Sequence, residues 1–277
     1  MQVVKFETEV LRYRDGRKVR ESKTVRLDIP TAVTEITLRA WADFTDLRET
    51  APAIFTDVTV GDVAAKAIPA EQWTAFVEHS LKAIHTLACN RKDVAMSDLL
   101  SLPVGDSAAD AAGGSILAIL MRIMKPIAEY VPKNRESFTH AGRTYVFYTN
   151  YLDQFDTRWI GRELRTAEAV EALQFEQAFF QKDDKGNYYT PDPRYRNTLA
   201  LLALLTRRVD PLTGDLELPP ISLAERTEWL DRRMLDLAGV SMDVGLDIDF
   251  FLPSSKILFQ RIRSSVLPGR KAEQRAA

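Results

Sequence analysis

The side chains best suited to chemistry in this 277-residue sequence are few and scattered. His85 and Cys89 stand four apart, which puts them on one face of a helical segment. That spacing suits two metal ligands, or a nucleophilic thiol beside a base. Zinc would need two further ligands, and His79, six residues upstream of His85, falls off the face. A catalytic thiol would need exposure and a third group to orient its base. The neighbouring stripe is apolar, so a buried cysteine beside a hydrogen-bonded histidine is the simpler reading. Asp243, Asp247 and Asp249 lie close together, and Asp243 and Asp247 share a helical face. Paired carboxylates can move a proton or hold a divalent cation. A carboxylate in the first turn after Ser241 also simply complements the helix dipole.

Two further stretches resemble ligand loops only in part. Asp183-Asp184-Lys185-Gly186-Asn187 lacks the alternating ligands and closing glutamate of a calcium loop, so it reads as a turn. Gly113-Gly114-Ser115 precedes a helical run and could meet a phosphate, but no phosphate-binding glycine pattern surrounds it. It reads as a helix start. The sequence holds no Gly-x-Ser-x-Gly elbow and no His-Glu-x-x-His pair. Trp41, Trp73, Trp159 and Trp229 sit on apolar helical stripes, where core packing accounts for them. No catalytic, cofactor-binding or metal-ligating residue is assigned, and the chain is read as noncatalytic.

The elements that would carry these residues are mostly helical. Val4 and Phe6 alternate with Lys5, Glu7 and Glu9, a period of two that marks a half-buried strand. Asp15-Gly16 then signals a tight hairpin turn, and Val19, Val25, Leu27 and Ile29 build the return strand before Pro30. This predicts an N-terminal β-hairpin over about 2–29. Thr34 or Thr37 can cap a helix carrying Leu38 and Trp41. Residues 50–69 read as irregular. Helices are predicted from about 70 to 90 and from Ile116, with a further turn at Asp98-Leu99-Leu100. Phe138 to Tyr148 returns to a period of two and turns near Gly142, a second small hairpin. Helices are then predicted over about 157–181 and from Arg196 to Arg208. Ser222-Leu223-Ala224-Glu225 has the form of a capping box opening another helix. A last helix holds Val244, Ile248, Phe251 and Leu252, with Pro253 ending or kinking it.

Composition bounds the class. Hydrophobic residues are 45% and charged residues 27%, ordinary values for a folded chain. A chain this long can bury roughly 75% of its unfolded surface. A net charge of -2 argues against a chain that coats nucleic acid as a whole, and one cysteine excludes an internal disulfide. The apolar runs Ile116–Met124 and Leu199–Leu205 fall well short of the roughly 20 residues a membrane span needs. The opening residues lack a secretory-type apolar stretch, so the expected setting is a reducing cytoplasm. The C-terminal stretch is different. Arg261, Arg263, Arg270, Lys271 and Arg275 face Glu273 alone, about +4. Residues 261–277 therefore read as a basic, solvated tail whose cations are the candidate partner-binding residues.

The order of segments resembles assembly proteins of contractile-tailed bacteriophages, the tail-assembly chaperones and baseplate-hub assembly proteins. Four stretches carry it: Ile29–Trp41, with its Ile-Pro-Thr start and Glu35-Ile36-Thr37-Leu38 cap; His140–Phe147; Asn197–Leu205; and Met242–Leu252. Together they spread over about residues 25–255, and none is a catalytic motif. The long first hairpin and the basic tail depart from the family pattern. The resemblance implies a noncatalytic protein that binds another tail, baseplate or virion protein. It implies residence in the host cytoplasm during assembly, or in the virion.

The sequence is thus read as an α+β chain, mostly helical with two small hairpins. A single domain is expected over 1–260, with a soft boundary near 131–137 and the tail beyond. Assembly chaperone or minor structural component is the leading function. A cytoplasmic enzyme with an unrecognised site is one alternative, drawing on Asp243, Asp247, His140 or Arg143. A nucleic-acid-associated protein working through the basic tail is another. No membrane partner and no cofactor are expected, and self-association stays open.

Overall fold

The computed structural model describes residues 1–51, 69–88, 91–105, 114–148, 166–167, 170–171, 174, 181–182, 188–189, 192, 195 and 197–248. The architecture is α+β, with helices and three small antiparallel sheets among these residues. The chain divides into two compact units. Of the described residues, the first comprises those in Met1–Ile36 and Asp43–Tyr130; the second comprises Thr37–Ala42 and those from Val131 to Ile248.

The first unit opens with the predicted hairpin. Strand β1 (Gln2–Arg14) pairs antiparallel with β2 (Arg17–Ile29) in unbroken register from Gln2↔Ile29 to Arg14↔Arg17. Asp15 and Gly16 both have positive φ, +50° and +76°. This is the primed two-residue turn whose twist matches that of paired strands. Val4, Val25, Leu27 and Ile29 are buried at the base, as the period-two pattern requires. Helix α1 (Leu38–Glu49) follows, with the Thr37 hydroxyl accepting the Ala40 N–H at 3.2 Å as its cap. Helix α2 (Trp73–Leu87) buries Phe76, Leu81, Ile84 and Leu87, its stripe of period 3.6. It packs on α3 (Met96–Leu99) and on α4 (Ile116–Glu129), which also meets β2. Ser115, fully buried, accepts the Ala118 N–H at 3.1 Å and caps α4. The glycine–serine stretch is thus a helix start among the described residues.

The second unit is built on a three-stranded sheet. Strands β3 (Ser137–His140) and β4 (Arg143–Phe147) form the second predicted hairpin, turning at Ala141-Gly142 with φ of +48° and +73°. Gln181–Lys182 and Tyr188–Tyr189, strands β5 and β6, pair with each other, so the helix expected over about 157–181 does not include Gln181. Thr166, Ala167, Val170, Glu171 and Gln174 are helical, and the rest of that expectation lies outside the described residues. Helix α5 (Thr198–Leu205), capped by the Asn197 side chain, buries seven of its eight residues. It stops three residues earlier than expected. Thr206–Arg208 leave it as strand β7 and add to the edge of β4.

Helix α6 (Leu223–Leu237) starts where the capping box predicts, but the Ser222 side chain makes no capping bond. A short helix, α7 (Met242–Leu246), follows. The N–H groups of Leu38 and Arg39, at the start of α1, donate to the carbonyls of Val240 and Ala238 at 2.8 and 3.1 Å. Those donors have no partner inside their own helix, and the loop between α6 and α7 supplies one. One hydrophobic core joins Leu38, Phe138, Tyr145, the α5 residues, Trp229, Leu230 and Val244.

Candidate functional site

Two polar clusters in the second unit and one projecting element in the first hold the charged chemistry of the described residues. The first cluster contains the paired carboxylates. Asp247 has no solvent-exposed surface, and Asp243 is buried. Asp247 accepts the Arg135 Nε–H at 2.7 Å and the Lys133 backbone N–H at 2.8 Å. Asp243 accepts from Arg135 Nη2 at 2.6 Å and from the Ser241 hydroxyl. Burial would lower the Arg135 pKa, but its hydrogen bonds to Asp247 and Asp243 outweigh that and raise it. One guanidinium therefore spans both carboxylates and fastens the segment before β3 to α7. Asp249 lies outside the described residues.

The second cluster lies among residues that the sequence motifs do not single out. Arg207, Arg226 and Arg233 are all buried, and Arg207 and Arg233 lie against Trp229. Arg233 lies 5.1 Å from the Trp229 ring centre and 5.4 Å from that of Tyr145. Arg207 lies 5.5 Å from Trp229 and 5.2 Å from Tyr148. These are cation–π distances. Arg233 donates to the Ala203 carbonyl, to the Thr206 carbonyl and hydroxyl, and to Glu217 at 2.7 Å. Arg207 donates to the carbonyls of Leu204 and Thr206. The carbonyls at the end of α5, which lack helical partners, are thus closed by two cations where the dipole favours positive charge. Burial lowers the Arg233 pKa; Glu217 offsets this in part, and Arg207 adds to it. Arg226 donates from Nε to the Pro220 carbonyl. The sequence does contain a signal. Arg226, Leu230, Arg233 and Leu237 share one helical face, so two of the arginines occupy core-facing positions.

The remaining candidates are placed individually. His85 Nε2 hydrogen-bonds the Val94 carbonyl at 2.9 Å, and His79 Nδ1 the Ala75 carbonyl of its own helix at 2.9 Å. Cys89 lies outside the described residues. The His140 ring sits beside Gly239, and Arg143 pairs with Asp236 at 3.1 Å in an exposed ion pair. Trp41 and Trp229 are core residues, and Trp73 packs edge-on against Phe76. Trp159 lies outside the described residues, as do Arg261, Arg263, Arg270, Lys271 and Arg275. Among the described residues, no three His, Cys, Asp or Glu side chains gather as a metal site. No helix there is long and apolar enough to cross a membrane.

The projecting element is the distal half of the hairpin. Its last anchored rung is Thr8↔Lys23. The Ser101 hydroxyl donates to Thr8 Oγ1 at 2.6 Å, and Lys23 Nζ pairs with Asp98 at 2.7 Å. That Lys23 hydrogen bond is the main cause of a lowered Asp98 pKa, against burial, with help from the Ala95 N–H. Six rungs continue beyond, from Glu9↔Ser22 to Arg14↔Arg17. At about 3.3 Å per residue they extend about 20 Å. Every residue from Arg12 to Arg20 is exposed, Tyr13 at 72%.

No protein-family model, curated protein or solved structure matches this chain. The functional reading rests on the residues themselves. Strands β1 and β2 form a sheet of two, so each has an outer edge with no strand beside it among the described residues. Such an edge carries unpaired backbone donors and acceptors, the groups through which a further strand adds.

Proposed function

We propose that this chain is a noncatalytic bacteriophage virion-assembly protein. It binds another tail or baseplate protein, as an assembly chaperone or a minor structural component. The observation that carries the binding role is the hairpin arm, which leaves its anchors at Thr8 and Lys23, continues for six rungs and is exposed from Arg12 to Arg20. An isolated two-stranded ribbon is marginal in water, so a long unsupported one gains stability when a partner covers it. The phage setting is drawn from the resemblance in segment order. Its stretches supply Leu38, Tyr145, the α5 residues and Val244, which share one core. The resemblance therefore lies in residues that build the fold. The carboxylates that an enzymatic reading would use, Asp243 and Asp247, are both engaged by Arg135.

The test is recovery of tagged full-length protein from phage-infected cells, with purified virions analysed alongside. Stoichiometric recovery of a tail or baseplate protein is the expected result. Presence in virions then marks a structural subunit, and absence a chaperone. Recovery of a monodisperse monomer with no virion protein would refute the reading.

A further inference from the structure

The arm's charge pattern narrows the kind of partner. Residues 12–20 hold Arg12, Arg14, Arg17, Lys18 and Arg20 against Asp15 alone, a net +4. Glu9 and Glu21 on the neighbouring rungs bring residues 9–22 to +2. Arg12 and Arg14 both reach Glu21, at 3.3 and 3.2 Å, and Arg20 reaches Glu9 at 3.5 Å. Arg17 and Lys18 have no carboxylate partner among the described residues. The uncompensated charge thus lies on β2, beside the turn. Side chains alternate along a strand, so Arg17 points to one face while Lys18 and Arg20 point to the other.

Resting on the assembly reading, we propose that the outer edge of β2, Arg17–Ser22, receives an acidic β-strand of another virion protein. Backbone pairing along that edge provides affinity. Glutamates or aspartates on both faces of the incoming strand pair with Arg17, Lys18 and Arg20. Cross-strand pairs of opposite charge are favourable, and like charges opposite one another are not. A second copy of this chain fits poorly, since joining two arms brings two +4 tips together. A nucleic acid also fits less well. Glu9, Asp15 and Glu21 are interleaved with the cations and would face phosphate, and a duplex offers no backbone to continue a β-ladder. The same lysine and arginine side chains guard the free edge against nonspecific strand pairing.

The experiment uses the full chain and three fluorescent probes. One is a short synthetic peptide whose glutamates lie in adjacent pairs between β-branched residues. The second has the same charge, with prolines placed to prevent strand pairing. The third is a short DNA duplex. Anisotropy gives affinity, and amide hydrogen exchange reads protection across residues 17–22. The strand-forming peptide should bind at low salt, protect those amides and weaken as salt rises. Arg17→Glu/Lys18→Glu/Arg20→Glu should lower its affinity at least tenfold with an unchanged melting temperature. Equal binding of the proline peptide, tighter binding of the duplex, or no binding of the strand-forming peptide would each overturn the inference. A chain lacking residues 9–14 and 17–22 keeps the Asp15-Gly16 turn and the Thr8–Lys23 rung. If it still recovers the virion partner of the full chain, the arm inference falls while the assembly reading stands. If the full chain recovers no virion protein, the assembly reading falls whatever the peptide does.

Discussion

Replacing Asp247 by alanine tests whether the buried carboxylate pair is a structural clamp. Asp247 holds Arg135 Nε at 2.7 Å and the Lys133 N–H at 2.8 Å, with none of its own surface in water. Its removal orphans both donors. Breaking a fully buried ion pair costs about 3–5 kcal/mol, and each unsatisfied buried donor about 1–3 kcal/mol. The upper figures do not apply, because the Arg135 side chain is 26% exposed and keeps Asp243. The expected loss is about 2–3 kcal/mol. In a unit of this size that lowers the melting temperature by roughly 4–12 °C. Calorimetry would measure the shift, and Trp229, inside the same unit's core, gives a fluorescence signal for urea unfolding. Asp247→Asn keeps one acceptor oxygen but loses the charge, so it should fall between wild type and alanine. A double-mutant cycle with Arg135→Met should return a coupling of about 1–2 kcal/mol. A loss below about 0.5 kcal/mol, the scale of ordinary surface substitutions, would refute the clamp. Coupling near zero would refute it as well.

Three further outcomes follow from single contacts. At Gly245 a Cβ would come within 2.3 Å of a Leu38 methyl and 2.8 Å of the Thr198 methyl, and both side chains are buried. Gly245→Ala should therefore lose about 1–2 kcal/mol in urea unfolding despite alanine's better helix propensity. Ser115→Ala removes the α4 cap and should cost about 1 kcal/mol by the same measurement. The Lys23 bond holds the Asp98 pKa below its unfolded value, so the unfolded chain takes up the proton first as pH falls. The stabilisation is whole above the ordinary carboxylate pKa, about 4, and is lost as pH falls through the lower folded value. Lys23→Ala should thus cost less than about 1 kcal/mol near neutrality, because Lys23 is half exposed. The gap between variant and wild-type urea midpoints should close as pH falls below about 4; a gap that widens there would reverse the assignment.

What the sequence revealed and what it hid divide by chain separation. Both hairpins are legible because their signals are local: alternation on either side of Asp15-Gly16 and of Ala141-Gly142. The end of α5 is not. Arg207 and Arg208 suit a helix C-terminus, yet Thr206–Arg208 pair with Tyr145–Phe147, some sixty residues earlier in the chain. The Thr206 hydroxyl bonds the Leu202 carbonyl at 2.7 Å as the strand departs. The Asp243–Asp247 pair is visible at helical spacing, but Arg135, which decides its role, lies 108 and 112 residues away. The buried arginines are hard to read from the sequence because charge on an amphipathic helix suggests water, although their spacing with Leu230 and Leu237 points inward.

The arm shows how much a strand pattern can still say. The core-facing row runs through Val4, Phe6 and Thr8 on β1 and through Ile29, Leu27, Val25 and Lys23 on β2. Continued outward, the same row reads Val10 opposite Glu21, then Arg12 and Arg14 opposite Val19 and Arg17. A sheet packed on its own core along its whole length would place apolar side chains there, because unpaired buried charge is costly. The row turns charged from Glu21 and Arg12 outward, and that change marks where the hairpin leaves its unit. It falls just past the rung that Ser101 and Asp98 hold. The same row that buries the base of the hairpin leaves its tip charged, and that charge sets which strand can join it.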